Sequence, residues 1–135
     1  MVDDRITDGR RIAQLLASEL DGREGDLAAV SVANANPDVA STPEGAHAYD
    51  IRRDGDHLAR AFVPPDRVRV RVDGATPEEA LSAARGADLP VHWTDEDPPR
   101  VVFVVEDGVA VKRASAAFAV VVAGSTDREY EGRHS

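Results

Sequence analysis

Hydrophobic and polar positions alternate along two runs between Ala46 and Val63, and the two runs meet at Asp54-Gly55. A period of two is typical of a β-strand, because successive side chains point to opposite faces of a sheet. Asp-Gly suits the centre of a tight type I′ turn, where both positions need a positive φ. The pattern therefore predicts a β-hairpin, and we expect the rest of the chain to be organised around it.

A two-residue loop fixes the register of this hairpin. It predicts the opposed pairs Arg53–Asp56, Arg52–His57, Ile51–Leu58, Tyr49–Arg60 and His47–Phe62. The bulky side chains then share one face, which we assign to the core: His47, Tyr49, Ile51, Leu58, Arg60 and Phe62. The other face is small and smooth, with charges near the turn. We predict that it is solvated or covered by a helix; the alternative is a flat docking surface.

Helical periodicity predicts three helices, which run from Thr7 or Asp8 to about Leu20, from Thr76 to Arg85, and from Val109 to Ala123. The second has the clearest start, because Thr76-Pro77-Glu78-Glu79 supplies a capping threonine, a proline at the first helical position and a capping-box glutamate. The third is ambiguous, since Val120–Val122 favour a strand while the apolar stripe and Gly124 favour a helix that ends there. We predict a helix.

Four more segments resemble strands: Leu27–Asn34, Arg67–Val72, Leu89–Trp93 and Arg100–Val105. The third is predicted to be a short edge strand. The fourth shows no alternation, which indicates a central strand covered on both faces. Residues 35–45 are predicted to form a mobile surface loop, and residues 125–135 a disordered tail. The element order indicates an α+β fold, a mainly antiparallel sheet of about five strands with helices packed on it, in a single domain over residues 1–124.

The charge composition does not alter the predicted fold, but it indicates the solvent and the partners that suit the protein. The net charge is −9, and 15 of the 16 basic residues are arginines, with Lys112 the one lysine. Abundant Asp and Glu with almost no Lys resembles the proteomes of salt-accumulating halophilic archaea. The charge also makes a nucleic-acid partner unlikely. No apolar run is long enough for a membrane span and the N-terminus lacks the apolar centre of a signal peptide, so we expect a cytoplasmic, soluble protein without a membrane partner.

Catalytic and metal-binding signatures are missing from the sequence. There are no cysteines, which excludes disulfides, thiolate catalysis and cysteine zinc sites. The histidines lack the spacing of a metal site, and no glycine-rich phosphate loop or nucleophile elbow occurs. We therefore predict no enzyme activity, no metal and no cofactor.

One row of residues stands out as a candidate site. Arg67, Arg69 and Arg71 alternate with valines, so we expect their guanidinium groups to project from one face about 7 Å apart. Guanidinium binds phosphate and carboxylate bidentately. The row is a candidate anion site; the alternative is that neighbouring Asp and Glu side chains pair with it.

Three classes of function remain. The first is a non-catalytic protein-interaction module that presents its sheet or the 35–45 loop to an unknown protein partner or to a second copy of itself. The second is a small-anion or nucleotide-binding module that uses the arginine row. The third is an enzyme without a recognisable motif. We favour the first, by elimination.

Overall fold

The computed structural model describes residues 8–21, 30–36, 39–96 and 99–134. Its helices are α1 (Gly9–Asp21), α2 (Pro77–Gly86) and α3 (Gly108–His134). Its strands are β1 (Val30–Ala33), β2 (Ala46–Arg53), β3 (Asp56–Val63), β4 (Val68–Val72), β5 (Val91–Trp93) and β6 (Val101–Val105). The strands form one antiparallel sheet in the order β1-β2-β3-β4-β6-β5. The predicted α+β class is confirmed, with six strands rather than about five.

The helix starts follow their capping residues. The side chain of Thr76 accepts from the backbone of Glu79, and the Glu79 carboxylate accepts from the backbone of Thr76, which completes the predicted capping box. The Asp107 carboxylate accepts from the backbone of Ala110 at the start of α3. The ambiguous segment 109–123 is therefore a helix, as predicted.

The end of α3 differs from the prediction. The helix does not stop at Gly124 but continues to His134, through the segment that the sequence analysis assigns to a disordered tail. Residues 125–134 contain no proline to end a helix.

The predicted strand Leu27–Asn34 is described only from its fourth residue, and residues 27–29 lie outside the described part of the chain.

The core lies between one face of the sheet and the three helices. Val68, Val70 and Val72 point into it from β4, as the alternation predicts. Phe103 of β6 meets Phe118 of α3 edge to face, with ring centroids 5.4 Å apart. Tyr49 also points inward, where its hydroxyl donates to the Ala13 carbonyl of α1 at 2.8 Å and burial raises its pKa. We call the face of the sheet that packs against the helices the covered face.

Gly9 brings α1 close to the end of the sheet. Its amide donates to the Pro65 carbonyl at 2.9 Å. A Cβ atom at this position would lie 2.1 Å from the Pro64 carbonyl oxygen and 2.7 Å from that of Arg67. Only glycine allows this approach, although glycine is a weak helix former.

Two β-bulges change the register of the hairpin. The Asp54-Gly55 turn has the predicted positive φ values of 51° and 84°, and Arg52 faces His57 as expected. Leu58 is then an extra residue, so Ile51 faces Ala59. Ala48 is an extra residue on β2, which places Tyr49 opposite Ala61 and restores the predicted pair His47–Phe62. The predicted pairs Ile51–Leu58 and Tyr49–Arg60 are therefore wrong.

The bulges also correct the assignment of the hairpin faces. The assignment to the core holds for three side chains: Tyr49, Ile51 and Leu58. It is wrong for the three that lie on the opposite face of the sheet: His47, Arg60 and Phe62. A bulge turns two consecutive residues toward one face, so a strict period of two fails across it. Alanines that were expected to face away, Ala59 and Ala61, are fully buried instead.

The face of the sheet opposite the helices is called the open face. Strand β6 is buried throughout, as predicted for a central strand, and its Val102 and Val104 belong to the open face. In the described part of the chain, none of the helices is long and apolar enough to cross a membrane.

Candidate functional site on the open face

Three guanidinium groups lie together at the centre of the open face. Arg69 and Arg71 project from β4, Arg60 of β3 lies directly opposite Arg71, and Phe62 lies opposite Arg69. Like charges in directly opposed positions destabilise a sheet unless other groups compensate them. The carboxylates on either side of this arginine pair therefore decide what the face can bind.

Asp73 compensates the positive charge of Arg71. Its Oδ1 accepts from Arg71 Nε and from an Arg100 terminal nitrogen, each at 2.9 Å, and its Oδ2 lies 2.7 Å from His57 Nε2. Burial alone would raise the Asp73 pKa, but the hydrogen bonds from Arg71 and His57 and the charges of Arg71 and Arg100 together lower it. The Arg71 guanidinium also lies over the Phe62 ring, 5.7 Å from its centroid, so this arginine is held in place from two sides.

Asp50 compensates the positive charge of Arg60. Asn34 Nδ2 donates to Asp50 Oδ2 at 2.6 Å, and His47 Nε2 lies 2.8 Å from Oδ1. Arg60 Nε is 3.7 Å from the same oxygen. Burial again raises the Asp50 pKa, and the hydrogen bonds of Asn34 and His47 with the charges of His47 and Arg60 outweigh it, so the net pKa is lowered.

The three arginines of the predicted row have different partners, so they do not act as one site. Arg67 precedes β4 and pairs with its neighbour Asp66, whose carboxylate lies 3.0 Å from Arg67 Nε. Arg71 is paired with Asp73. Arg69 differs, because it donates to the backbone carbonyl of Glu44 and forms no ion pair within the described residues. Its charge is therefore the one in the row that no described carboxylate neutralises.

Two neighbouring hollows meet at Arg69. One, of about 250 Å³, is lined by Glu44, Gly45, Phe62, Arg69, Arg71, Thr94 and Val102. The other, of about 400 Å³, is lined by Pro43, Pro64, Pro65, Asp66, Arg67 and Arg69. Gly45, with φ of 93°, keeps the backbone close to the site, since a Cβ there would lie 2.9 Å from an Arg69 terminal nitrogen. The hollows offer a charged group, an aromatic ring and apolar side chains side by side.

The alternation along β4 predicts where the arginines point but not which groups surround them. The position of Asp73 was readable, because it follows Arg71 by two residues and so continues the same face of the strand. Phe62 was assigned to the core, since the bulges leave no signal in the hydrophobic pattern. His57 faces Arg52 as predicted, and the hairpin register gives no sign of its contact with Asp73.

Comparison with known proteins gives one result. The model of a family of unknown function, DUF7993, matches residues 1–134. The chain belongs to this family. No curated protein and no solved structure matches this DUF7993 chain. Since the family assigns no activity, a functional argument for this DUF7993 member has to come from the geometry of the open face.

Proposed function

We propose that this DUF7993 chain is a non-catalytic protein-interaction module, and that its open face holds an extended, carboxylate-bearing segment of a protein partner. The observation that carries the proposal is Arg69. Its guanidinium lines both hollows, and within the described residues only a backbone carbonyl accepts from it. A carboxylate arriving from a partner would neutralise this charge.

The same face already shows how it holds carboxylates. Asp73 bridges Arg71 and Arg100 at 2.9 Å, which is the distance of a charge-assisted hydrogen bond. An extended peptide repeats its side chains about every 7 Å on one face, which is also the spacing of Arg69 and Arg71 along β4. Phe62 of β3 and Val102 of β6 lie on either side of β4 and line the same hollow as these arginines, where they offer contacts to apolar atoms of such a peptide. Alternating acidic and apolar residues therefore suit the open face best.

The test uses a fluorescein-labelled peptide of alternating Asp and Val and measures its binding to the full chain by fluorescence anisotropy in 1 M KCl. Arg69→Gln keeps a donor for the Glu44 carbonyl and removes the charge. We expect it to weaken peptide binding at least tenfold, or about 1.4 kcal/mol.

Arg85→Gln is the matched control, because Arg85 is an exposed arginine on α2, away from the open face. We expect this variant to bind the peptide within twofold of the wild type. Equal affinities of the wild type and Arg69→Gln would overturn the proposal. Binding of inorganic phosphate without binding of the peptide would favour the small-anion module instead.

We also propose that the chain works in a salt-rich cytoplasm. A net charge of −9 opposes the compact state by self-repulsion. Molar salt screens that repulsion over roughly 3 Å. The melting temperature should therefore rise markedly from dilute buffer to 2 M KCl, and an unchanged melting temperature would contradict this part of the proposal.

A further inference from the structure

A cavity of about 540 Å³ lies between α1 and strands β1 and β2, on the covered side of the sheet. It is larger than either hollow of the open face, and small-molecule sites in proteins have volumes of about 300–1,000 Å³. The rest of its lining comes from β1, β2 and the loop after β1, while one stripe of α1 faces it at the helical spacing of three and four residues: Arg10, Ala13, Gln14, Ala17 and Ser18.

The cavity exists because small side chains face each other across the gap between helix and sheet. Ala13 and Ala17 face it from α1, where larger side chains would fill it. On the sheet, the bulge turns Ala48 and Tyr49 together toward the helix. Ala13, Ala48 and Tyr49 are buried, so they form an apolar floor. An apolar group placed in this gap gains van der Waals contacts with both the helix and the sheet.

The polar side chains of the lining lie at the rim of the cavity. Arg10, Gln14 and Ser18 are exposed on α1, and Asn36 is exposed on the loop after β1. An apolar floor with a few polar groups at its border is typical of pockets that bind small molecules, because the floor supplies burial and the polar groups fix the orientation. A ligand with an apolar body and one polar end therefore suits this cavity.

The charge of the lining selects the polar end of the ligand. Arg10 is the one charged residue among the described residues that line the cavity, and none of them is acidic, although the chain contains 25 Asp and Glu residues. Each hollow of the open face, in contrast, includes an acidic residue, Glu44 or Asp66. One guanidinium binds one carboxylate bidentately. A dianionic phosphate would keep part of its charge uncompensated, because the described lining offers no second cation.

We propose that this cavity binds a small organic monocarboxylate with an apolar chain. The carboxylate contacts Arg10, and the chain lies between the alanines of α1 and the floor formed by Ala48 and Tyr49. The stripe from Arg10 to Ser18 extends about 12 Å along the helix axis, which a medium-length acyl chain spans. The cavity lies on the opposite side of the sheet from Arg69, so the proposal is independent of the peptide site.

The test is isothermal titration calorimetry of the full chain with octanoate in 1 M KCl. We expect a sub-millimolar dissociation constant for the wild type. Ala17→Leu fills the cavity with a side chain that favours a helix, so it should weaken octanoate binding at least tenfold without lowering the melting temperature. Ala116→Leu is its matched control, because it adds the same side chain at an exposed alanine of α3, and it should bind octanoate like the wild type.

A second pair of variants tests the charge. Arg10→Gln should weaken octanoate binding at least fivefold, whereas 1-octanol, which carries no charge, should bind the wild type and this variant equally. Arg11→Gln is the matched control, since Arg11 is exposed on the same turn of α1 and does not line the cavity. It should bind octanoate within twofold of the wild type. Equal losses in the two variants would show an effect of net charge and would contradict a contact at Arg10.

Amide resonances in NMR spectra locate the ligand. Octanoate should shift the resonances of Ala17 and Ala48 and leave that of Arg69 unchanged. An absence of binding at millimolar octanoate, shifts at Arg69 instead, or an Ala17→Leu variant that binds as tightly as the wild type would overturn the proposal. Arg69→Gln should bind octanoate like the wild type, and Arg10→Gln should bind the acidic peptide like the wild type, so the two proposals fail separately.

Discussion

The two faces of the sheet are built from different interactions, although they share the same strands. The covered face consists of apolar side chains such as Val70 and Phe103, which are fully buried against the helices. The open face consists of ion pairs around Asp50 and Asp73, with Phe62 among the arginines. Apolar burial contributes most to stability, while exposed or half-buried ion pairs contribute less and select partners by charge. The covered face therefore accounts for most of the stability, while the recognition that we propose is assigned to the open face of the same sheet.

The largest expected difference between the faces concerns two phenylalanines. Phe118→Ala removes a fully buried ring that contacts Phe103, and it should lower the free energy of unfolding by about 3–5 kcal/mol. Phe62→Ala, on the open face, should cost only about 1 kcal/mol, because its ring is half-buried and bordered by arginine. Urea unfolding in 2 M KCl measures both. Equal losses would contradict the division between the faces.

A second substitution tests how α1 is held on the covered side. Gly9→Ala should destabilise the chain by about 1–3 kcal/mol, because the new Cβ would overlap the Pro64 carbonyl. Gly86→Ala is the control, since a Cβ at the end of α2 meets nothing within 4 Å. Thermal unfolding should show a loss at residue 9 and a small gain at residue 86. A neutral Gly9→Ala would show that α1 does not need its close approach.

A smaller effect, with a pH dependence, is expected at Asp73. Asp73→Asn leaves Arg71 and Arg100 without their shared carboxylate and should cost about 1–2 kcal/mol at pH 7. Because the folded-state pKa of Asp73 lies below its ordinary value, its contribution is present above about pH 4 and is lost as the pH falls through the folded-state pKa. The stability difference between wild type and variant should therefore vanish in acid.

Asp54→Asn serves as the control for this pH series, because asparagine fits the same turn. It should leave the stability unchanged at both pH values. A difference between the wild type and Asp73→Asn that persisted or grew in acid would contradict the lowered pKa of Asp73.

Much of the fold was predictable, and the hairpin shows where prediction from a sequence stops. Capping residues such as Thr76 and Asp107 act locally, so helix starts can be read from a few neighbouring residues. The valines of β4 keep a strict period of two, so their direction can be read as well. At the two bulges the Ala48 carbonyl accepts from Asn36, and the Leu58 carbonyl accepts from Asp73 and Gly74. These partners lie outside the hairpin, so its pattern alone contains no sign of the bulges.

The candidate site, like the fold, was predictable where the pattern of neighbouring residues determines it and not where distant segments meet. Alternation correctly joined Arg69 and Arg71 on one face. Asp66 and Asp73, which pair with Arg67 and Arg71, are near neighbours in the sequence. Glu44, whose carbonyl accepts from Arg69, comes from the loop before β2, and only tertiary structure brings it to the row. The difference between Arg69 and its two neighbours in the row therefore could not be read from the spacing of the arginines.

The central claim is that Arg60 faces the open side of the sheet while Ala61 faces the helices. Because the chain has no cysteine, single-cysteine variants report this directly. In folded protein in 2 M KCl, Arg60→Cys should react with a maleimide at nearly the rate of a free thiol, and Ala61→Cys should react at least a hundredfold more slowly, until urea exposes it. Rapid labelling at residue 61 with protection at residue 60 would contradict the account.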